Sequence, residues 1–232
     1  MYIVRNLLIT GGKGDFAKEV KTQFSSKYKI YNPSKQEMDV SNYDSIENFC
    51  IDKSIDLVIH AGAMTKPTDK HEEYPDESIL NNIIGTSNIT IFCIKRDIKL
   101  VYISSESVYG NGINCSEIDA INPIDNYSLS KAGGEFAVKE YKNSLIIRGA
   151  FCKIPFDSEW AYTNIIKNYI SHKDAVFFLL NNIDEKGIIN VGGQEMTYYD
   201  FVKQYNSNII PKQHIKGLKR TLNLSKMNNL IK

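Results

Sequence analysis

The sequence predicts an α/β fold, in which a doubly wound parallel sheet is followed by a smaller C-terminal part. Apolar and amphipathic runs alternate through residues 1–150, which is the pattern of a parallel sheet with right-handed crossovers. The run at 55–60 is apolar without alternation, as in strands that are buried on both faces. A glycine-rich turn follows the first apolar run. We therefore expect a domain over 1–150 and a small lobe over 151–232, interleaved with the sheet edge.

The composition shows no strong charge bias. The chain has 232 residues and a net charge of +1, so no strong field attracts it to nucleic acid or to a membrane. It has no apolar run of about 18 residues, and its first residues lack the features of a signal peptide. The four cysteines have no C-x-x-C spacing, which indicates reduced thiols rather than a metal site or disulfides. We expect a cytoplasmic protein with no metal, no nucleic-acid partner and no membrane partner.

The first element is a strand expected over 2–9, followed by the turn and helix TGGKGDFAKEVKTQF at 10–24. Gly11 would allow the tight turn, Gly14 would let a pyrophosphate approach the helix N-terminus, and Ala17 would let the helix pack closely on the strand. Strand, glycine turn and helix together indicate a Rossmann-like dinucleotide-binding site. Its candidate contacts are Gly11, Gly14, Asp15, Phe16 and Ala17. A glycine-rich turn without a ligand is the alternative.

The second strand, expected over 28–31, bears on the choice of cofactor. Sites that prefer NAD usually carry an acidic residue at the end of this strand, where it binds the ribose hydroxyls. Here the strand is followed by Asn32-Pro33-Ser34-Lys35. Ser34 and Lys35 could accept a 2′-phosphate, so NADP is the expected cofactor and NAD the alternative. Lys35 is equally explained as a solvated loop lysine.

The other elements of residues 1–150 continue the alternation. We expect a helix at 42–53, a strand at 55–60, a polar surface loop at 66–75, a helix at 76–96, and strands at 99–104 and 144–148. Ala61, Gly62 and Ala63 would leave room for a cofactor after their strand, with tight packing as the alternative. His71 falls in the polar loop, where no catalytic role is expected. Asn82 is either a buried polar residue near the site or an exposed one.

The stretch 101–131 indicates the chemistry, because a strand-like run ends in Ser104 and Ser105 and is followed by Tyr127 and Lys131. A tyrosine hydroxyl, with an ordinary pKa of about 10, is a poor acid or base near neutrality. A lysine one helical turn away, on the same face, favours the tyrosinate. A serine hydroxyl can hold the substrate oxygen, which suits carbonyl or alcohol chemistry with a nicotinamide hydride. A surface tyrosine that caps a helix is the alternative for Tyr127.

The Tyr-x-x-x-Lys spacing is not specific by itself. It occurs at Tyr31/Lys35, Tyr127/Lys131, Tyr169/Lys173 and Tyr199/Lys203. Tyr127 differs from the others because it follows a polar loop and opens an amphipathic stretch downstream of the serine-terminated strand. The carboxyl ends of parallel strands meet at one edge of a sheet, where ligands bind, and the residues expected at those ends are Gly11, Gly14, Ala61, Ala63, Ser105 and those after Arg148.

With these residues, the chain resembles the extended short-chain dehydrogenase/reductase family. The likeness is greatest to nucleotide-sugar 4-keto reductases of the dTDP-4-dehydrorhamnose reductase type. The matching motifs are Thr10-Gly-Gly-x-Gly14-x-x-Ala17, Asp39-Val40, His60-Ala-Gly-Ala63, Asn82-x-x-Gly-Thr86, Ser104-Ser105-x-x-Val108-Tyr109-Gly110, Tyr127-x-x-x-Lys131 and the late Asn190-Val191-Gly192-Gly193. Most of residues 1–150 are covered in the family's order, so the motifs are specific as a set.

The resemblance implies a role for each matching residue. Ser105, Tyr127 and Lys131 would be catalytic, Gly11, Gly14 and Ala17 would hold the pyrophosphate, Asp39 and Val40 would meet the adenine, and Ala61, Ala63 and Lys131 would line the nicotinamide ribose. In such reductases the nicotinamide gives a hydride to a 4-keto carbon and the tyrosine gives a proton to the oxygen. The related dehydratases carry Asp-Glu after the hydroxyl residue, whereas here Glu106 and Ser107 follow Ser105, which argues against dehydration.

Relative to the family it resembles, the chain is expected to be shortened after Arg148, where that family builds its sugar-binding surface. Thr65, Glu106, Trp160 and Arg220 are the candidate substrate contacts. Trp160, in a loop expected at 149–163, either stacks on a sugar or base or anchors the lobe. Arg220 resembles the family's late arginine, which contacts the nucleotide diphosphate, although a solvated basic tail is equally consistent. We expect a helix at 164–182, a strand at 188–193 and a helix at 197–205.

The leading hypothesis is an NAD(P)H-dependent reductase of a nucleotide-activated 4-keto deoxy sugar, hence an enzyme of carbohydrate biosynthesis. One alternative is an epimerase or dehydrogenase of a nucleotide sugar on the same scaffold. Another is a non-catalytic NADP-binding regulatory subunit, which the shortened lobe favours and the intact Ser105, Tyr127 and Lys131 set disfavours. The resemblance also implies a homodimer through the helices that hold Asn82 and Tyr127.

Overall fold

A computed structural model describes residues 5–65 and 67–231. The elements of its first part are β1 (Arg5–Thr10), α1 (Asp15–Phe24), β2 (Tyr28–Tyr31), α2 (Tyr43–Cys50), β3 (Leu57–His60), α3 (Lys70–Glu73), α4 (Pro75–Ser78), a π-helix (Ile79–Ile84), α5 (Gly85–Arg96), β4 (Lys99–Ile103), a 3₁₀ turn (Glu106–Tyr109), α6 (Asn126–Lys139) and β5 (Ser144–Arg148). Residues 2–4 of the expected first strand lie outside the described residues.

The C-terminal part consists of short elements. They are β6 (Ala150–Cys152), β7 (Trp160–Tyr162), β8 (Ile165–Lys167), β9 (Tyr169–Ser171), α7 (His172–Asn181), β10 (Gly187–Asn190), β11 (Met196–Thr197), α8 (Tyr198–Lys203), β12 (Ile210–Lys212), β13 (Leu218–Lys219) and α9 (Ser225–Leu230). Among the described residues, no helix combines the length and the apolar character needed to cross a membrane.

The central sheet confirms the predicted fold class. Its six strands lie in the order β10-β5-β4-β3-β1-β2, and every neighbouring pair is parallel. The strand order reverses between β1 and β3, since the chain goes from β1 to one side and then returns to the other. Ligands of open α/β sheets bind outside the carboxyl ends of the strands at such a reversal.

Two hydrophobic cores cover the faces of the sheet. Leu7 and Ile9 of β1 point into the core that includes α1 and α7, while Leu8 points into the core that includes α2, α5 and α6. Successive side chains of a strand face opposite sides, so a continuous apolar run serves both cores at once. This packing explains why the buried strands carry no polar alternation.

Three predicted elements were wrong, and the first is the loop expected at 149–163, which contains the short strands β6 and β7. The expected loop at 66–75 contains α3 and the start of α4, where Pro75 occupies the first turn. The expected helix at 164–182 begins only at His172, because the Ser171 hydroxyl caps it by accepting the Asp174 amide at 3.0 Å. The apolar residues before this cap form β8 and β9, which pair with other short strands. Their spacing suits a half-buried strand as well as a helix.

The C-terminal part is joined to the sheet by β10, which pairs in parallel with β5, as expected for the strand at 188–193. Helix α7 packs on α1, while β7 pairs with β12 and β8 pairs with β11 and β13. Residues 151–232 therefore interleave with the main sheet. The boundary at residue 150 remains a prediction.

Candidate active site

The turns after β1 and β3 are in direct contact at the point where the strand order reverses. Gly11 adopts a positive φ of 69°, which a residue with a side chain rarely adopts. A Cβ atom on Gly11 would lie 2.8 Å from the Gly62 Cα atom. The Gly62 amide also donates to the Thr10 hydroxyl at 2.9 Å. The predicted tight turn is therefore present, and it is held against the loop after β3.

The N-terminus of α1 offers free backbone amides beside this turn. The Gly14 amide bonds to the Gly11 carbonyl at 2.8 Å, and the first bond into the helix is donated by Lys18 to the Gly14 carbonyl at 3.1 Å. The amides of Asp15, Phe16 and Ala17 precede that bond, and no side chain caps the helix. Such amides, at the positive end of a helix dipole, suit a pyrophosphate, so these residues fit a dinucleotide.

The side chains of Asp15 and Phe16 serve other purposes. Asp15 is paired with Lys18 at 2.9 Å and with Lys153 at 3.6 Å. Phe16 lies in the core and contacts Phe151, with 5.8 Å between the ring centroids. These two residues could therefore meet a dinucleotide through their amides, whereas their side chains are already engaged.

The expected adenine contacts lie on a turn beside α5. The Asp39 carboxylate accepts the Ser41 amide at 2.9 Å and the Ser41 hydroxyl at 2.8 Å. The Val40 carbonyl accepts Asn88 Nδ2 at 2.9 Å, and a Cβ atom on Gly85 would lie 2.7 Å from Val40 Cγ2. These contacts hold the turn rigidly against α5. The adenine-binding role of Asp39 and Val40 remains a prediction.

Ser105 lies at the carboxyl end of β4, at the start of the 3₁₀ turn. Its hydroxyl oxygen accepts the Ser107 amide at 3.1 Å and the Ser107 hydroxyl at 2.9 Å. Its own proton is donated to Glu106 Oε2 at 3.0 Å. Ser105 also lies close enough to Tyr127 to act on its phenol, whose pKa it lowers, so the structure brings these two predicted residues together.

Tyr127 and Lys131 lie one turn apart at the start of α6, whose N-terminus is capped by the Asp125 carboxylate. Burial of its phenol oxygen raises the pKa of Tyr127 to about 12, against the effect of the Ser105 hydrogen bond. Burial lowers the pKa of Lys131 to about 7, and the nearby Glu135 carboxylate opposes this change. Lys131 Nζ donates to the Ile103 carbonyl at 2.8 Å. Burial therefore favours the protonated phenol of Tyr127, and the expectation that Lys131 favours the tyrosinate remains a prediction.

A buried ionic cluster adjoins Ser105. Glu106 pairs with Lys167 at 2.6 Å and with Arg220 at 3.3 Å. Burial alone would raise the pKa of Glu106, but the two cations hold it below its ordinary value. Arg220 is only 5% exposed and also donates to the Gly110 carbonyl, so it is not part of a solvated tail. Lys167 gave no signal in the sequence, since it reaches Glu106 only through the pairing of β8.

Two further buried residues lie near Tyr127: His71, for which no role was expected, and Asn82, for which the buried alternative is the one observed. His71 is fully buried, and its ring lies edge-on to the Tyr127 ring with 5.2 Å between centroids. The prediction of a surface loop was therefore wrong for His71. Asn82 is fully buried; its amide bonds both ways with the Met64 backbone at 2.8 and 2.9 Å and donates to Ser130 at 2.8 Å. It joins the loop after β3 to the Tyr127 helix.

A second buried network supports the base of the site. Glu135 and Arg148 form an ion pair at 2.6 Å with side chains 1% and 3% exposed. The Ser104 hydroxyl donates to Glu135, and Arg148 donates to the Tyr109 hydroxyl at 2.7 Å. This network ties β4, β5 and α6 together directly behind Ser105 and Lys131.

The structure does not bring every substrate candidate to this edge. Trp160 contacts Tyr162, with 4.8 Å between ring centroids, and Lys212, whose Nζ lies 4.1 Å from its ring. Both neighbours belong to the strand pair of β7 and β12, which favours the anchoring role of Trp160 over stacking on substrate. Thr65 is exposed on the loop after β3, close in sequence to Ala61, Gly62 and Ala63.

Comparison with known proteins agrees with this geometry. The model of the RmlD substrate binding domain matches residues 5–159. An ADP-L-glycero-D-manno-heptose-6-epimerase of Brachyspira hyodysenteriae is 35% identical over 92 residues, which are 39% of this chain and 28% of that protein. A dTDP-4-dehydrorhamnose reductase of Mycolicibacterium smegmatis is 25% identical over 154 residues, 64% of this chain and 46% of that protein. Across the first four curated relatives, the matched segments span 26% to 46% of their length.

Solved structures share the fold. The dTDP-4-dehydrorhamnose reductase of Bacillus anthracis in complex with NADP superposes with a TM-score of 0.87 at 21% identity, covering 98% of this chain and 92% of that one. At this identity the likeness establishes the architecture. It places both the main sheet and the short C-terminal elements within one known arrangement.

Proposed function

The chain belongs to the RmlD substrate binding domain family, and from that membership and the geometry of its site we propose that it is an NAD(P)H-dependent reductase of a nucleotide-activated 4-keto deoxy sugar. One observation carries the proposal. Ser105, Tyr127 and Lys131 lie at the carboxyl edge of the parallel sheet, where the glycine turn and the free amides of α1 are also found.

The protonation states of the group suit reduction rather than oxidation. The bound nicotinamide would supply a hydride to the carbonyl carbon. Tyr127, whose pKa is raised to about 12, holds the proton that the carbonyl oxygen must receive. The Ser105 hydroxyl would donate its proton to the substrate carbonyl oxygen instead of to Glu106, and this hydrogen bond would hold the carbonyl oxygen in place. Lys131, with a pKa lowered to about 7, can return a proton to Tyr127 near neutral pH.

Charge near Ser105 supports a nucleotide-sugar substrate. Glu106 neutralises one of its two cationic partners, which leaves one positive charge at the end of β4. Lys167 keeps 20% of its side chain exposed, and its ammonium would bind a substrate diphosphate as a charge-assisted hydrogen-bond donor. The reductase from Mycolicibacterium smegmatis, among the relatives, bears the name of this reaction.

The proposed function also suggests the pathway, the compartment and the oligomeric state of the protein. We propose that the protein acts in carbohydrate biosynthesis in the cytoplasm and forms a homodimer through α6 and the helical run of the π-helix and α5, which hold Tyr127 and Asn82. Exposed apolar side chains on these helices, Ile91 and Phe136 among them, support the homodimer. Size-exclusion chromatography with light scattering would measure its mass directly.

The test is a binding titration with NADPH and NADH followed by reduced-nicotinamide oxidation against a panel of nucleotide 4-keto sugars. Tyr127→Phe should bind the dinucleotide as wild type does, and its turnover rate should fall by a factor of about 10² to 10⁴, the usual contribution of a positioned general acid. Tyr199→Phe is the matched control, because Tyr199 has the same spacing to a lysine but lies on α8. It should keep full activity.

Each other outcome would identify what is wrong. Full activity of Tyr127→Phe would reject the mechanism. Binding without turnover on any member of the panel would reject the substrate class and favour a regulatory subunit. Failure to bind either dinucleotide would reject the cofactor site.

A further inference from the structure

The turn after β2 engages the groups that the sequence assigns to a 2′-phosphate. The Ser34 amide donates to Glu37 Oε2 at 2.7 Å, and the Ser34 hydroxyl also bonds to this carboxylate. Lys35 Nζ donates to Asn81 Oδ1 at 3.0 Å on the π-helix. Neither donor of Ser34 is therefore free for a phosphate.

Glu37 supplies the acidic group that the strand end lacks in the sequence. The Ser34 carbonyl accepts the amides of Glu37 at 3.1 Å and Met38 at 3.0 Å, so the chain folds back and places the carboxylate beside Ser34. As in one half of a capping box, a Glu side chain accepts the amide of the residue three positions before it. The hydrogen bonds from Ser34, and to a lesser extent the Lys13 charge, hold the pKa of Glu37 below its ordinary value. The group is therefore an anion at neutral pH.

The turn lies against the glycine turn of the dinucleotide site. The Gly12 amide bonds to the Pro33 carbonyl at 3.3 Å, and a Cβ atom on Gly12 would lie 2.3 Å from the Asn32 carbonyl oxygen. The residues that follow β2 thus adjoin the place where the pyrophosphate would bind. In dinucleotide sites of this topology, the adenosine ribose lies at the end of the second strand.

We propose that Glu37 determines cofactor choice by accepting a hydrogen bond from the adenosine ribose and repelling a 2′-phosphate, so that the protein selects NADH over NADPH. The inference rests on the proposed function, because it requires a dinucleotide in this site. A carboxylate keeps unused lone pairs after it accepts the two Ser34 donors. Those lone pairs suit a ribose hydroxyl, whereas a phosphate dianion beside them meets like charge.

Glu37→Gln separates the charge from the structure of the turn. Glutamine keeps an acceptor for the Ser34 amide, as in capping boxes that end in Gln, and removes only the negative charge. Dissociation constants for NADH and NADPH are measured by fluorescence titration in the absence of substrate. Wild type should bind NADH more tightly, and Glu37→Gln should shift the ratio of the two constants toward NADPH by about tenfold or more. The shift should shrink with added salt.

Glu140→Gln is the matched control, because it removes the same charge at the exposed C-terminal end of α6. Its ratio should equal that of wild type. An unchanged ratio in Glu37→Gln, or a wild-type preference for NADPH, overturns the inference while leaving the proposed function intact. Failure of both dinucleotides to bind wild type rejects the proposed function and this inference with it.

Discussion

Replacing Arg148 with methionine should strongly destabilise the protein, because it leaves the Glu135 carboxylate buried without its counter-ion. The two side chains are 3% and 1% exposed and lie 2.6 Å apart, so water cannot replace the lost partner. Glu135 would retain the Ser104 hydroxyl, a single neutral donor.

The expected loss in the free energy of unfolding is about 3 to 5 kcal/mol, the range for breaking a buried pair by removing one partner. For a protein of ordinary stability, about 5 to 15 kcal/mol, this is a large share of the total. Glu135→Leu alone should have a similar effect, since it leaves the Arg148 guanidinium unpaired. The double variant, Glu135→Leu with Arg148→Met, removes both charges and should cost less than either single change.

Urea denaturation at neutral pH, followed by circular dichroism and by the fluorescence of Trp160, measures all four proteins. The double variant should lose much less stability than the sum of the losses of the two single variants, so the coupling free energy between Glu135 and Arg148 should be large. Additive losses, or single losses below about 0.5 kcal/mol, would refute the conclusion that this pair holds β4, β5 and α6 together.

Two other predictions concern the dinucleotide edge and the buried lysine. Gly12→Ala should lower stability by about 1 to 3 kcal/mol and should also lower dinucleotide affinity, because its Cβ atom would lie 2.3 Å from the Asn32 carbonyl oxygen. Gly14→Ala should lower affinity alone, because the nearest contact of its Cβ atom would be 3.1 Å. Equal losses of stability for the two variants in thermal melts would contradict this prediction. For Lys131, burial lowers the folded pKa from 10.5 to about 7, so the folded state binds fewer protons than the unfolded state between those values. Burial of the charged Lys131 destabilises the folded state to its full extent below about pH 7, and this destabilisation disappears as the pH rises toward 10.5. The free energy of unfolding of wild type, measured relative to that of Lys131→Met by urea titration, should therefore rise between about pH 7 and pH 10.5. If the difference between the two proteins did not change with pH, the lysine would not be desolvated.

The sequence predicted the features of the fold and of the site that depend on residues close together in the chain. Strands β2 and β5 begin and end where they were expected, since short apolar runs between turn residues suffice to indicate them. The positive φ of Gly11 follows from a glycine at the tip of a strand-to-helix turn. The meeting of Ser105 and Tyr127 was expected from the order of the motifs in residues 101–131, because a residue that ends a strand and the start of the helix that follows it lie at the same edge of the sheet.

Where the prediction was wrong, a distant contact decided the structure. The residues around His71 are polar in sequence, yet this histidine is buried against Tyr127 and bonds Ser78 at 2.6 Å. The residues of β8 and β9 have spacings that suit a helix or a strand, and pairing with β6, β11 and β13 decided for strands. Local periodicity carries no information about such partners.

The sequence by itself determined the alternation of elements, the glycine turn and the order of the chemical motifs, because each depends on backbone preferences within a few residues. Only the tertiary structure decided the charges around them. It placed Lys167 and Arg220 on Glu106 and buried Lys131 deeply enough to lower its pKa. These effects depend on burial and on distances between remote residues, and both arise only when the sheet and its helices pack.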